Sequence, residues 1–75
     1  MKITLEELEV GERALIVAYD KEMIPLKLIE MGCIEGNEVS VVNVATLKDP
    51  VYLNINNTFL AIRKHMAAQI EIEKL

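Results

Sequence analysis

Val51, Leu53 and Ile55 alternate with Tyr52 and Asn54, and Asn56-Asn57 follows at once. No other stretch constrains the fold as strongly. Period-two alternation puts three aliphatic side chains on one face of an extended segment. Asparagine accepts positive φ better than most residues, so the pair suits a two-residue hairpin turn. Thr58 to Arg63 is then the returning strand. A chain that carries such a hairpin builds an antiparallel sheet, and 75 residues make one small domain, 1–75.

The flanking segments extend that sheet. Arg13 to Tyr19 is β-branched and aliphatic and too short for a globular helix, which predicts a strand. Asn37 to Val44 is another, opened by the Glu35-Gly36 turn. Its apolar positions run Val39, Val41, then Val42, Val44, so the inward phase slips by one residue. A bulge or sharp bend absorbs such a slip, and small barrels need bends to close. Ala45 to Pro50 is a loop. Lys64 to Ala67 suits a single helical turn, and Ile70 and Ile72 alternate with Gln69, Glu71 and Glu73 in a last strand.

Two short helical pieces interrupt the strands. Thr4-Leu5-Glu6-Glu7 fits a capping box, in which the Glu7 carboxylate reaches back to the start of the turn. A helical turn over Thr4 to Glu9, ended at Gly11, would let Leu5 and Leu8 plug one end of a core. From Ile24 to Gly32 about two turns of helix fit, with Pro25 tolerated in the first turn and Gly32 as a left-handed stop. The fold class is therefore mainly β: a small SH3-like barrel of about five strands, with an inserted two-turn helix and a short N-terminal helical turn. An oligonucleotide-binding-type barrel and an open α+β sheet are the alternatives. Closure is favoured because an open sheet of this size leaves aggregation-prone edges.

Several functions are excluded by composition. Twelve acidic against eight basic side chains give a net charge of −4, the wrong sign for phosphate contacts with nucleic acid. Tyr19, Tyr52 and Phe59 are too few for a base-stacking platform. One serine (Ser40) and one histidine (His65) leave almost nothing from which to assemble a nucleophilic triad. Glycines at 11, 32 and 36 do not form a phosphate-cradling loop. Glu6/Glu7 and Glu71/Glu73 read as solvated faces, so the chain is expected not to be an enzyme. Cys33 and His65, 32 positions apart, do not make a structural zinc site. An oxygen- and nitrogen-rich site using His65, Asp49 or Asp20 is the only metal option, and Met23, Met31 and Met66 read as packing. No cofactor is implied. A lone cysteine, acids at the amino terminus, and a longest apolar run of only Ala14 to Tyr19 point to a cytoplasmic chain that does not enter the membrane.

One feature exceeds what folding needs. At ~100° per residue, Ile24, Leu28 and Met31 form a stripe sufficient to dock the helix. Leu26 falls on roughly the opposite side and Ile29 well away from Ile24, leaving only Lys27 and Glu30 as a polar flank. Such excess marks either a partner surface or cover by the amino-terminal turn. Arg63-Lys64 would add a small basic rim beside Lys27.

The order of these signals resembles the FeoA family of bacterial ferrous-iron uptake. The resemblance rests on Leu5-x-x-Leu8-x-x-Gly11-x-x-Ala14-x-Ile16, on Lys27-Leu28-Ile29-Glu30-Met31-Gly32-Cys33-Ile34-Glu35-Gly36-Asn37-Glu38-Val39, on the loop Ala45 to Pro50, and on Ile62 to Ile70. Lys27 stands where the family usually has arginine, Met31 where it has leucine, and Lys48 where its Gly-Asp-Pro loop has glycine. What the resemblance implies is an SH3-like barrel that serves the FeoB transporter, a membrane permease with a cytosolic GTPase domain. The same barrel is fused to some iron- and manganese-dependent repressors, but no DNA-binding segment is recognised here. Contact with FeoB is expected through Leu26, Lys27 and Ile29, with Asp49 and Pro50 as a second site. The alternative is a Fe²⁺-sensing module using His65 and Asp49, regulating the transporter or a metal-dependent repressor. A GTPase regulator acting through Arg13 or Arg63 is less supported, and a homodimer is compatible with the exposed helix.

Overall fold

The structure is a computed structural model, and it describes residues 2–45 and 47–75. Six strands form one antiparallel sheet: β1 (Lys2–Thr4), β2 (Arg13–Tyr19), β3 (Glu38–Val44), β4 (Val51–Ile55), β5 (Thr58–Ile62) and β6 (Ile70–Lys74). Their order is β1-β6-β2-β3-β4-β5. A 3-10 turn at Leu5–Glu7 follows β1, and two short helices, α1 (Leu26–Glu30) and α2 (Lys64–Ala67), bridge β2 to β3 and β5 to β6.

The expected hairpin is present. Ile55 pairs with Thr58, and Asn56 and Asn57 take φ of 53° and 66°, both in the left-handed region. The phase slip in β3 is a bulge: the register with β4 shifts between Val41 and Asn43. Val39 and Val41 are buried while Val42 is 43% exposed, so the extra residue is turned outward. A second shift, between Ile16 and Ala18 where β2 meets β6, gives the sheet another bend that alternation did not reveal. β1 was also not expected. Three residues are too few to show a period, and β1 owes its conformation to the ladder it makes with Glu71, Ile72 and Glu73.

The core is aliphatic. Leu5, Ile16, Val39, Val41, Leu53, Ile55, Ile70, Ile72 and Cys33 are all under 2% exposed. Each large aliphatic among them contributes about 1.5–3 kcal/mol by burial. Leu5 and Leu8 close one end as anticipated. Thr4 N–H donates to Glu7 Oε2 at 2.7 Å, the carboxylate half of the capping box. The turn is shorter than the Thr4–Glu9 span, because Leu8 is already extended at φ −77°, ψ 135°.

Candidate functional site

α1 is short and none of its five residues is fully buried. Pro25, at φ −57° and ψ 141°, caps it rather than entering its first turn. Counting the caps Pro25 and Met31, it makes about two turns. Its carboxyl end is a Schellman motif: Cys33 N–H donates to Leu28 C=O at 3.0 Å and Gly32 N–H to Ile29 C=O at 3.1 Å. Gly32 has φ of +110°, and a Cβ there would lie 3.4 Å from Ile55 Cγ2. Asn37 Nδ2 donates to Gly32 C=O at 2.7 Å. The helix end is thus pinned against the Asn56 end of the β4–β5 hairpin.

That anchoring sorts the apolar stripe. Ile24 is buried, and Leu28 and Ile29 are half-buried against the core, so Ile29 helps hold the helix down. Leu26 is 69% exposed and Met23 52%. Lys27, also exposed, sits beside them. The free apolar surface of this region is therefore Leu26 with Met23, flanked by Lys27.

Asp49 and Pro50 form a second corner at the opposite end of β4. Asp49 Oδ1 accepts the backbone N–H of Lys64 at 2.9 Å, fastening the start of α2 to the β3–β4 loop. Arg63 Nη1 approaches Asp49 Oδ2 at 3.7 Å. Arg63 is thereby engaged with an acid at this corner. Ala45 N–H donates to Pro50 C=O at 3.1 Å and Lys48 N–H to Ala45 C=O at 2.7 Å. The Asp49–Pro50 peptide is cis, and Lys48 has φ of +65°, the conformation a glycine would adopt freely. Thr46, also in this loop, lies outside the described residues. The corner borders an open cleft of about 840 Å³ whose lining includes Lys48 and Lys64 together with Glu6, Glu7 and Glu9. Leu47, in the same loop, is 88% exposed. Its signal in the sequence is an apolar residue inside a turn-rich segment.

Asp20 Oδ1 accepts the N–H of Glu22 at 2.9 Å in the turn after β2. His65 is exposed on α2, one residue from the Lys64 amide that Asp49 holds. Among the described residues no three His, Cys, Asp or Glu side chains converge as a metal site. Cys33 is buried at 1% exposure, and burial pushes its thiol above the ordinary range. It packs as an inert apolar filler. Arg13 is paired with Glu38 at 3.2 Å. Among the described residues no helix is long and apolar enough to cross a membrane.

The family model for the FeoA domain matches residues 3–74. The chain belongs to the FeoA family. A Porphyromonas gingivalis protein named as a fusion of Fe(2+) transport protein A with the Fe(2+) transporter FeoB is 37% identical over 70 residues. That match takes in 92% of this chain but only 8% of the relative. The solution structure of FeoA from Chlorobium tepidum is 28% identical, with a TM-score of 0.89 over 97% of this chain and 70% of that one. FeoA from Stenotrophomonas maltophilia, solved with zinc and described as a prokaryotic SH3-domain protein, superimposes with a TM-score of 0.81 at 24% identity, over 95% of this chain and 89% of that one. The FeoA domain described here is thus a small SH3-like barrel, as expected, with α1 inserted between its second and third strands.

Proposed function

We propose that this FeoA domain is a non-enzymatic accessory of ferrous-iron uptake that acts by docking onto the cytosolic part of a FeoB-type transporter. The observation that carries this is the relative in which a stretch like this chain and the FeoB transporter are one polypeptide. Covalent fusion holds two modules at high effective concentration. A separate domain needs a contact surface to reach the same partner. Leu26 and Met23, exposed and apolar beside Lys27, supply one, and Leu47 with Asp49 and Pro50 a second. Ile29 contributes through the position it gives the helix.

A Fe²⁺-sensing role has weaker support. Asp49 already accepts the Lys64 amide and faces Arg63, so part of its charge is already met. Leu26→Asp tests the docking surface. At 69% exposure the substitution leaves the core intact, and co-purification with FeoB is expected to fall about tenfold or more, as for loss of an interface anchor worth at least 1.4 kcal/mol. Full co-purification by a normally folded Leu26→Asp protein would overturn the assignment. Calorimetry with anaerobic Fe²⁺ on wild type and His65→Ala is expected to show no difference. A signal lost only in the variant would favour sensing.

A further inference from the structure

The two ends of the sheet are unequal. β1, one edge, has three residues, whereas β5, the other, has five and pairs only with β4. β5 lacks three devices that blunt an edge: it has no proline, no charge and no break in its register with β4. Neutrality extends beyond it. No Asp, Glu, Lys, Arg or His occurs from Pro50 through Ile62, in a chain with 27% charged residues. On the outer face of this neutral hairpin Phe59 is 69% exposed, Tyr52 41% and the bulged Val42 43%, around a shallow depression of about 480 Å³.

Hydrogen-bond parity defines what the edge can accept. Ile55 and Thr58 close a two-residue turn and so form a hydrogen-bonded pair, after which bonded and non-bonded pairs alternate. Thr58, Leu60 and Ile62 therefore bond to β4, and the N–H and C=O groups of Phe59 and Ala61 point out from the free edge. We propose that β5 pairs antiparallel with β5 of a second copy of this chain, about a two-fold axis at Leu60. In that register Phe59 faces Ala61 of the partner subunit, and all four outward N–H groups find a carbonyl. The large Phe59 ring lies against a methyl group, so side-chain size is complementary as well.

Charge is the reason for choosing a second copy as the occupant. Each chain has a net charge of −4, so two copies repel unless they meet where neither is charged. The β4–β5 hairpin is such a place, and a strongly charged foreign strand would find no counter-charge there. The contact buries on the order of 800 Å² in total, below the ~1,200 Å² at which stable complexes begin. A weak, concentration-dependent dimer follows. This inference stands independently of the transporter reading.

Sedimentation from about 10 μM to about 1 mM tests it, since mass action converts a weak dimer over such a range. The mean mass should rise from the 8.5 kDa monomer toward twice that value. Ala61→Lys places a charge on the seam and should raise the dissociation constant about tenfold or more. Phe59→Ser, at a mostly exposed side chain, should do the same, and Leu26→Asp should leave the equilibrium unchanged. Amide exchange at Phe59 and Ala61 should slow as concentration rises. A wild-type monomer at about 1 mM overturns the proposal. So does a dimer that folded Ala61→Lys and Phe59→Ser proteins both retain, or one that Leu26→Asp abolishes.

Discussion

Two corners of this barrel reverse the chain through a left-handed residue, and they do it with opposite materials. At Gly32 the residue is glycine, packed 3.4 Å (as a notional Cβ) from Ile55 and locked by a Schellman pair of hydrogen bonds. At Lys48 it is a lysine with φ of +65°. An L-residue with a Cβ loses roughly 1–2 kcal/mol in that region, which the surroundings must offset. The surroundings here are polar: the Asp49 carboxylate holding the Lys64 amide, and the Ala45–Pro50 backbone bond. One corner is held by backbone ties around a glycine and the other by polar ties around a lysine. At the first a Cβ would sit at ordinary contact distance from Ile55 but at a φ that L-residues avoid, while the second tolerates a strained residue, which displays Lys48 beside the cleft and Leu47 in the same loop.

Gly32→Ala attacks the glycine corner and should have the largest effect. The added methyl finds ordinary contact with Ile55, but the backbone is left at a φ that alanine avoids. We expect a loss of about 1–2 kcal/mol, read from urea midpoints at constant m-value. Cys33, the next residue, provides a local readout. Its thiol is buried and raised, so it labels only when the corner opens, and its labelling rate should rise about tenfold for each 1.4 kcal/mol lost locally. A stable Gly32→Ala protein would show that the two corners do not differ in the way described.

Lys48→Gly approaches the same comparison from the other side, with a smaller effect and the opposite sign. Relief of positive φ should stabilise by about 0.5–1 kcal/mol after allowance for the greater freedom of glycine in the unfolded chain. A decrease in stability would mean that the lysine side chain, and not only its backbone, contributes to the corner. Either result bears on the cleft, because the substitution removes one of the two lysines on its wall.

How much of this was legible beforehand follows from what each element depends on. The Asn56-Asn57 hairpin, the β3 bulge and the Gly32 stop are local: each needs only a turn-forming residue or a break in period beside an apolar pattern. β1 and the β2 bulge are not local. Their conformations come from β6, a strand more than fifty residues away from either segment, and no window along the chain contains both partners. The site divides the same way. Exposure of Leu26 was readable from its angle on the helix, but the seating of Ile29 against the core was not. Pairing of Arg63 with Asp49 required knowing that the start of β4 lies beside the end of β5. The exposed Leu47 and the neutral face around Phe59 were present as plain residue types, and became meaningful only once the strands showed which side faced outward.

The smallest expected effect concerns a third turn, which uses the same device as the Lys48 corner but with a pH handle. Glu12 Oε1 accepts the Glu9 N–H at 2.8 Å, and Oε2 meets Lys74 Nζ at 3.0 Å. The backbone bond first, and the lysine second, hold its carboxyl below the ordinary value of 4.5. A carboxyl lowered in the folded state contributes its stabilisation above its unfolded pKa. The contribution drains away as pH falls through the lowered folded value. Stability should therefore decline at pH below about 4.5. Glu12→Gln should flatten that acid limb by lowering the neutral-pH midpoint slightly toward the acid one, a small effect because the group is exposed and water screens its pairing with Lys74. Thermal melts of the two proteins across that range decide it. Identical acid limbs would mean that a carboxylate tie at an exposed turn orients the chain without stabilising it, and would lower the weight given to the Asp49 tie at the lysine corner as well.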